Sequence, residues 1–360
     1  MSRTAHLPGL DGVRGLAVLL VVGVHAPAVL AADHRQPLPG GFLGVDLFFV
    51  LSGFLITSLL LEEREETGRA SVGRFYLRRA ARLLPALALL LAAHWWWSQL
   101  PSVGIPAGEE RRSLLWVVTY VGNWIFWADD GFLVPGLGHL WSLAIEEQFY
   151  LVWPAVLLVA VARGRRATSL VIAAGIAIAI VVRVWLWRGG HHWSQVYTRT
   201  DARLDALLIG AGVALAARRG APWFAQLART PGTGVVGAAV VGIAVLTLHE
   251  SSSLLFYGGF TVVAVGAALL VIGALDEHST VGRLLAGRAI TTVGQVSYGV
   301  YLWHLPILVA VQHQWPHWPL VVRATVAVGA TVVITAASHL LVERHVVAWA
   351  RRRTGRPASA

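Results

Sequence analysis

Stretches of roughly 20 apolar residues recur along this chain, about the length a helix needs to cross a bilayer, and nothing else constrains its fold as strongly. They lie near 10–32, 42–61, 83–100, 140–162, 168–187, 203–217, 233–249, 254–275, 289–312 and 319–342. A shorter, Trp-rich run occupies 113–127. In 360 residues this leaves room for about ten spans with short loops and none for a sizeable soluble domain as well. Composition agrees. Charged residues are 13% of the chain, where a soluble domain carries about 25%, and mean hydropathy is +0.64. The sequence predicts an all-α integral membrane protein, a bundle of about ten transmembrane helices. No cleavable signal peptide is expected, because the first run lacks a basic leader and a small-residue cleavage site.

Every basic residue is an arginine, and neither lysine nor cysteine occurs. Disulfides, thiolate nucleophiles, lysine Schiff bases and cysteine metal clusters are thereby excluded, and no metal is expected. The net charge of +10 sits in short clusters between apolar runs, at 64–82, 163–166, 218–219, Arg283, Arg288 and 351–353. That is the positive-inside pattern rather than a nucleic-acid surface. If 113–127 crossed the membrane, the 163–166 cluster and several later ones would face outward. The segment is therefore expected to re-enter or lie at the interface, with both termini cytoplasmic. On this reading the 62–82 loop is inside, and the Pro- and Gly-containing 101–139 loop is outside, folded over the outer mouth. Residues 1–345 form the membrane domain, and 346–360 a basic cytoplasmic tail that frays beyond Val342. No internal repeat supports an inverted-repeat transporter.

Charges within spans are costly and are candidates for function. In GLDGVRGLAVLLVVGVHA, Arg14 and His25 are eleven residues apart. At about 100° and 1.5 Å per residue they share one helix face, about 16.5 Å apart. A hydrated interfacial histidine and a snorkelling arginine are the bland alternatives. Asp46, in GGFLGVDLFFVLSGFLIT, lies at about the depth of His25 and could orient its imidazole, or serve only as a helix N-terminal acid. Gly41, Gly44 and Gly53 of the same string suggest close helix packing. In RFYLRRAARLLPAL, Arg78, Arg79 and Arg82 fall on overlapping faces at the inner surface. They suit a polyphosphate ligand, or act only as topology charge. Glu146 and Glu147 enter a span in GHLWSLAIEEQFYLVWP, and one of the two must face protein. Asp201, Arg203 and Asp205 are expected to neutralise one another. His304 precedes a helix-bending proline in QVSYGVYLWHLPI, with Tyr301 on a neighbouring face. Glu343, in HLLVERHVV, is expected to pair at the depth of Arg14.

These strings, in this order, resemble the bacterial acyltransferase family 3, polytopic membrane O-acyltransferases that modify carbohydrates. The resemblance covers roughly residues 8–345, with Glu146 on the acidic position of the most recognisable motif. Two features depart from the family. VERHVV lacks the usual proline, which weakens any role for Glu343. Many relatives carry an extra periplasmic hydrolase-like domain after the last helices, and none is expected here to finish or redirect the transfer in cis.

The resemblance implies a bacterial cytoplasmic-membrane enzyme with no permanently bound cofactor. Its donor would be acyl-CoA, usually acetyl-CoA, and its acceptor a carbohydrate hydroxyl on a cell-envelope or exported glycan. Arg78, Arg79 and Arg82 would hold the phosphates of coenzyme A, and its arm would pass Arg14 to reach His25. His25 would act as general base or as transient acyl carrier, oriented by Asp46 or Glu146. Tyr301, His304 and Arg14 are the candidate oxyanion donors. Two alternatives stay open: acylation of a small-molecule glycoside such as a macrolide sugar, and a non-enzymatic flippase of a lipid-linked sugar. The sequence is silent on oligomeric state.

Overall fold

A computed structural model of the chain describes residues 7–31, 36–68, 70–128 and 133–354. Among the described residues every regular element is helical. α1 (Pro8–Leu30) opens on Pro8, whose preset φ and missing N–H suit a first turn. α2 (Gly44–Thr67) stops at Gly68, which has a left-handed φ of +72°. α3 (Val72–Ser98) is capped by the Ser71 side chain. Next come α4 (Ala107–Val118), α5 (Gly122–Ala128), α6 (Trp141–Ala162), α7 (Arg165–Arg188), the short α8 (Trp193–Tyr197) and α9 (Thr200–Arg219). The chain continues through α10 (Pro222–Arg229), α11 (Thr233–Thr247), α12 (Phe260–Ala274), α13 (Thr280–Leu285) and α14 (Arg288–Gln295). It ends with α15 (Ser297–Gln314), α16 (Leu320–Ser338) and α17 (Arg344–Thr354).

The described residues of the ten apolar runs are mainly helical, and six helical segments are long and apolar enough to cross a bilayer. They contain α1, α2, α6, α7, α12 and the α16–α17 segment. A seventh candidate is the α10–α11 pair, bent by 83°. The remaining long helices fall short for visible reasons. α3 carries Arg74, Arg78, Arg79 and Arg82 in its first half, α9 carries Asp201, Arg203 and Asp205, and the 18 residues of α15 include Tyr298, Tyr301, His304, Gln312, His313 and Gln314, which lower its hydropathy. The 113–127 run is not one helix. It divides between α4 and α5 at Tyr120, which has a φ of +53°. Their 12 and 7 residues span about 18 and 10 Å, against a hydrocarbon core of about 30 Å.

α2 is the central element, packed against α1, α6, α9 and α12. Glycines let the backbones touch. A Cβ on Gly53 would stand 1.9 Å from the Leu207 carbonyl oxygen of α9, and one on Gly210 the same distance from that of Val50. Gly41 and Gly44 abut the Leu20 and Ala17 carbonyls of α1. This is the small-residue packing expected of a membrane bundle, and it holds Arg14, Ser52 and Glu146 around one space.

The charges of α9 do not neutralise one another as the sequence suggested. Arg203 reaches across to Asp46 of α2 at 2.7 Å, with both side chains wholly buried. Asp205 pairs with Arg183 of α7 at 2.9 Å, and Asp201 with Arg199. Neighbours on one helix turn outward in different directions, so Arg203 and Asp205 meet partners on α2 and α7, while Asp201 pairs locally with Arg199 at the start of its own helix. The chain past Val342 does not fray directly either. A π-helical turn (His339–Glu343) leads into α17, which passes residue 345 unbroken and packs on α3. The absence of proline in VERHVV permits this.

Candidate active site

A cavity of about 200 Å³ lies between α1, α2, α3, α6 and α15. Arg14, Ser52, Arg79, Arg82, Glu146 and Tyr301 supply its polar wall. Arg14 is steadied one turn away by Asp11, at 2.7 Å. Arg79 makes two bonds to Oε1 of Glu147, at 2.8 and 3.0 Å, and stacks on the Tyr150 ring with its guanidinium carbon 3.2 Å from the centroid. Glu146 accepts from the Ser52 hydroxyl at 2.8 Å. Arg82 is exposed to this space and has no ion-pair partner among the described residues. The cavity therefore presents one free guanidinium beside two that are already positioned, a setting suited to an anion.

Tyr301 links this cavity to a cluster of histidines. Its hydroxyl meets Ser142 Oγ at 2.5 Å and donates to the His139 carbonyl at 2.9 Å. Its own carbonyl accepts from His304 Nδ1 at 2.7 Å. His304 Nε2 in turn stands 2.9 Å from His25 Nδ1. His304 is buried, at 1% exposure, and His25, which is not among the residues lining the cavity, is partly buried. His139 packs edge-on to His304 at 5.0 Å between centroids, and both of its ring nitrogens are buried without a hydrogen bond. The 133–138 segment that delivers His139 lies on α15. Gly136, at φ +91°, approaches Pro306 so closely that a side chain would find only 3.2 Å to its Cα. α15 continues through Pro306 on both sides.

Several sequence expectations change partner. Asp46 does not orient His25. One of its oxygens is held by Arg203, and the other has no hydrogen-bond partner. Glu146 is not bonded to His25 either, being engaged by Ser52. The imidazole's partner is His304, which sits two turns into α15 and is reached by helix packing rather than by sequence proximity. The three arginines of α3 also separate. Arg79 and Arg82 line the cavity, while Arg78 turns to Glu63 at 3.3 Å, beside Arg74. Glu343 pairs locally with Ser338 at 2.6 Å and lies 3.7 Å from His339, not with Arg14. Ser52, His139, Ser142 and Tyr150 escaped the sequence reading. All four lie inside the motif strings, but weight placed on charge passed over neutral polar residues.

A family profile described as an acyltransferase domain matches residues 7–341. The chain is 33% identical over 329 residues to O-acetyltransferase OatA of Staphylococcus aureus, covering 86% of this chain and 52% of that protein. It is 35% identical over 322 residues to YrhL of Bacillus subtilis, named as a candidate peptidoglycan O-acetyltransferase, covering 84% and 49%. The chain thus spans about half the length of the curated relatives it matches. No solved structure matches it.

Proposed function

The chain belongs to acyltransferase family 3, and on that premise we propose that it is a membrane O-acetyltransferase. In this reading it moves an acetyl group from acetyl-CoA to a hydroxyl of a cell-envelope or exported carbohydrate. The names of its relatives support the class of reaction and the class of acceptor. The observation that carries the reading is the connection of an arginine-lined cavity, through Tyr301 and His304, to the partly buried His25.

Arg82 and Arg79 bind the phosphates of coenzyme A, and Arg14 follows the donor inward. The acceptor hydroxyl gives its proton to His25 as its oxygen attacks the thioester carbonyl. The carbon–sulfur bond then breaks, and the leaving thiolate takes the proton back from His25. Atoms and charge balance without a metal or a redox partner. The developing oxyanion needs a donor within hydrogen-bond reach. The Arg14 guanidinium is a donor on the cavity side, while the Tyr301 and Ser142 hydroxyls also line it but are engaged with each other and with the His139 carbonyl.

We read α3, α9, α11 and α15 as crossing the membrane together with the six clear spans, which makes ten. The buried pairing of Arg203 and Asp205 supports this for α9, because its charges then face protein and not lipid. The arginine clusters support a cytoplasmic location for both termini and for the donor. The decisive experiment uses the purified protein in liposomes with acetyl-CoA, following release of free thiol and acetylation of added chitooligosaccharide by mass spectrometry. Thiol release that depends on the acceptor supports the reading, and none at all defeats it. Mass spectrometry of cell-envelope glycans with and without the protein identifies the natural acceptor.

A further inference from the structure

Hydrogen bonding at the histidine pair decides which nitrogen of each ring carries the proton. His304 Nδ1 lies 2.7 Å from the Tyr301 carbonyl and 3.2 Å from that of Val300. A carbonyl only accepts, so Nδ1 of His304 is the protonated nitrogen. No carboxylate is hydrogen-bonded to either ring among the described residues, so neutral imidazoles are the relevant forms. A neutral His304 protonated at Nδ1 has its lone pair on Nε2. That atom faces His25 Nδ1 at 2.9 Å, so His25 must donate from Nδ1 and keep its own lone pair on Nε2. Ring geometry agrees. The two planes are 22° apart and the centroids are 5.1 Å apart. That separation is near the most a 2.9 Å contact between ring nitrogens allows, so the nitrogens point at each other in plane, as a strong N–H···N bond requires.

We propose that His304 is a positioning residue that fixes His25 in the Nδ1–H tautomer, leaving Nε2 as its basic atom. The inference deepens the acetyl-transfer reading and rests on it. The division of labour follows from burial. His304 is 1% exposed and held between the Tyr301 carbonyl, His25 and the edge of His139. Of the two rings, His25 is the less buried. The arrangement does with two imidazoles and a carbonyl what a carboxylate does for a catalytic histidine elsewhere: it sets the tautomer and the ring orientation through the nitrogen that does not react. It also explains how His25 is oriented although Asp46 and Glu146 are both engaged by other residues. Without His304, the Nδ1 nitrogen of His25 has no acceptor. The tautomer with its proton on Nε2, which cannot accept a proton there, then becomes populated.

The test compares His304→Gln with His304→Leu in liposomes, with acetyl-CoA as donor and chitooligosaccharide as acceptor. Glutamine can accept from His25 Nδ1 through its amide oxygen and donate to the Tyr301 carbonyl through its amide nitrogen. Leucine can do neither. His304→Gln is expected to keep kcat within about fivefold, and His304→Leu to lose about 10² or more in kcat with KM for acetyl-CoA little changed. In a His25→Ala background the Leu substitution should add no further loss, because a positioning residue acts only through the residue it positions. Equal kcat in the Leu and parent proteins overturns the inference, as does a Gln variant as inactive as the Leu variant when both melt at the parent temperature. A further loss in the His25→Ala background overturns it too. A parent protein that releases no thiol defeats the acetyl-CoA reading itself, a separate outcome visible before any variant is made.

Discussion

At the scale of single residues, His25 and Arg82 divide the proposed chemistry between proton transfer and anion binding, and each can be tested alone. His25→Ala removes the base and leaves His304 Nε2 buried without a donor. Transfer should fall by about 10² or more, with a stability cost of about 1–3 kcal/mol for the orphaned nitrogen. His25→Gln separates the two effects. Its amide can still donate to His304 Nε2, so thermal melting in detergent should stay at the parent value while transfer is lost. A Gln variant with full activity removes His25 from the mechanism. Arg82 is the cleaner of the two cavity arginines to change, because replacing Arg79 strands Glu147. Arg82→Gln should raise KM for acetyl-CoA about tenfold with kcat nearly unchanged. Added salt should raise KM in the parent and less in the variant, since it screens the same attraction. An unchanged KM would return Arg82 to the role of a topology charge.

At the scale of helices, the decisive contacts join elements far apart in sequence, and the motifs reveal only one side of each. The spacing of Arg14 and His25 is legible because both lie on one helix, where periodicity alone assigns a face. The partner of His25 is not legible, because nothing local brings residue 304 to residue 25. The same holds for Asp46, whose position in a motif suggests catalysis while its structure shows a pairing with Arg203 of α9. That difference predicts an outcome. Removing one member of a wholly buried pair leaves an uncompensated charge and costs about 3–5 kcal/mol, whereas removing both members is far less damaging. Asp46→Leu should therefore lower the melting temperature and the yield of inserted protein sharply. Asp46→Leu combined with Arg203→Leu should recover most of the loss, and with it the activity. If the double variant is stable yet inactive, Asp46 or Arg203 has a role in the reaction as well as in joining α2 to α9.

At the scale of the whole molecule, the apolar runs foretell where the helices are. Their crossings are harder to read, because length and apolarity single out six segments while arginine placement favours ten. The difference falls on α3, α9, α11 and α15, helices that are short, bent at an end or charged, and hydropathy judges them as though they faced lipid. In the bundle their polar residues face protein: Arg203 meets Asp46, and His304 meets His25. A residue that would be expelled from hydrocarbon is thus accommodated once its helix is surrounded. Sidedness decides the matter. The 163–166 and 351–353 arginines share a side with the 64–82 cluster only if α4 and α5 together do not cross. A reporter fused after Arg353 should then be active only in the cytoplasmic compartment, and one inserted at Gly104, in the turn before α4, only outside. A third, at Gly164 between α6 and α7, should be cytoplasmic and fixes the α4–α5 region as non-crossing. If the Gly164 and Gly104 reporters land on the same side, the segment between them crosses an even number of times, and the ten-span arrangement is wrong. The donor cavity would then have to be reassigned to the membrane face that α3 and α6 actually present to coenzyme A.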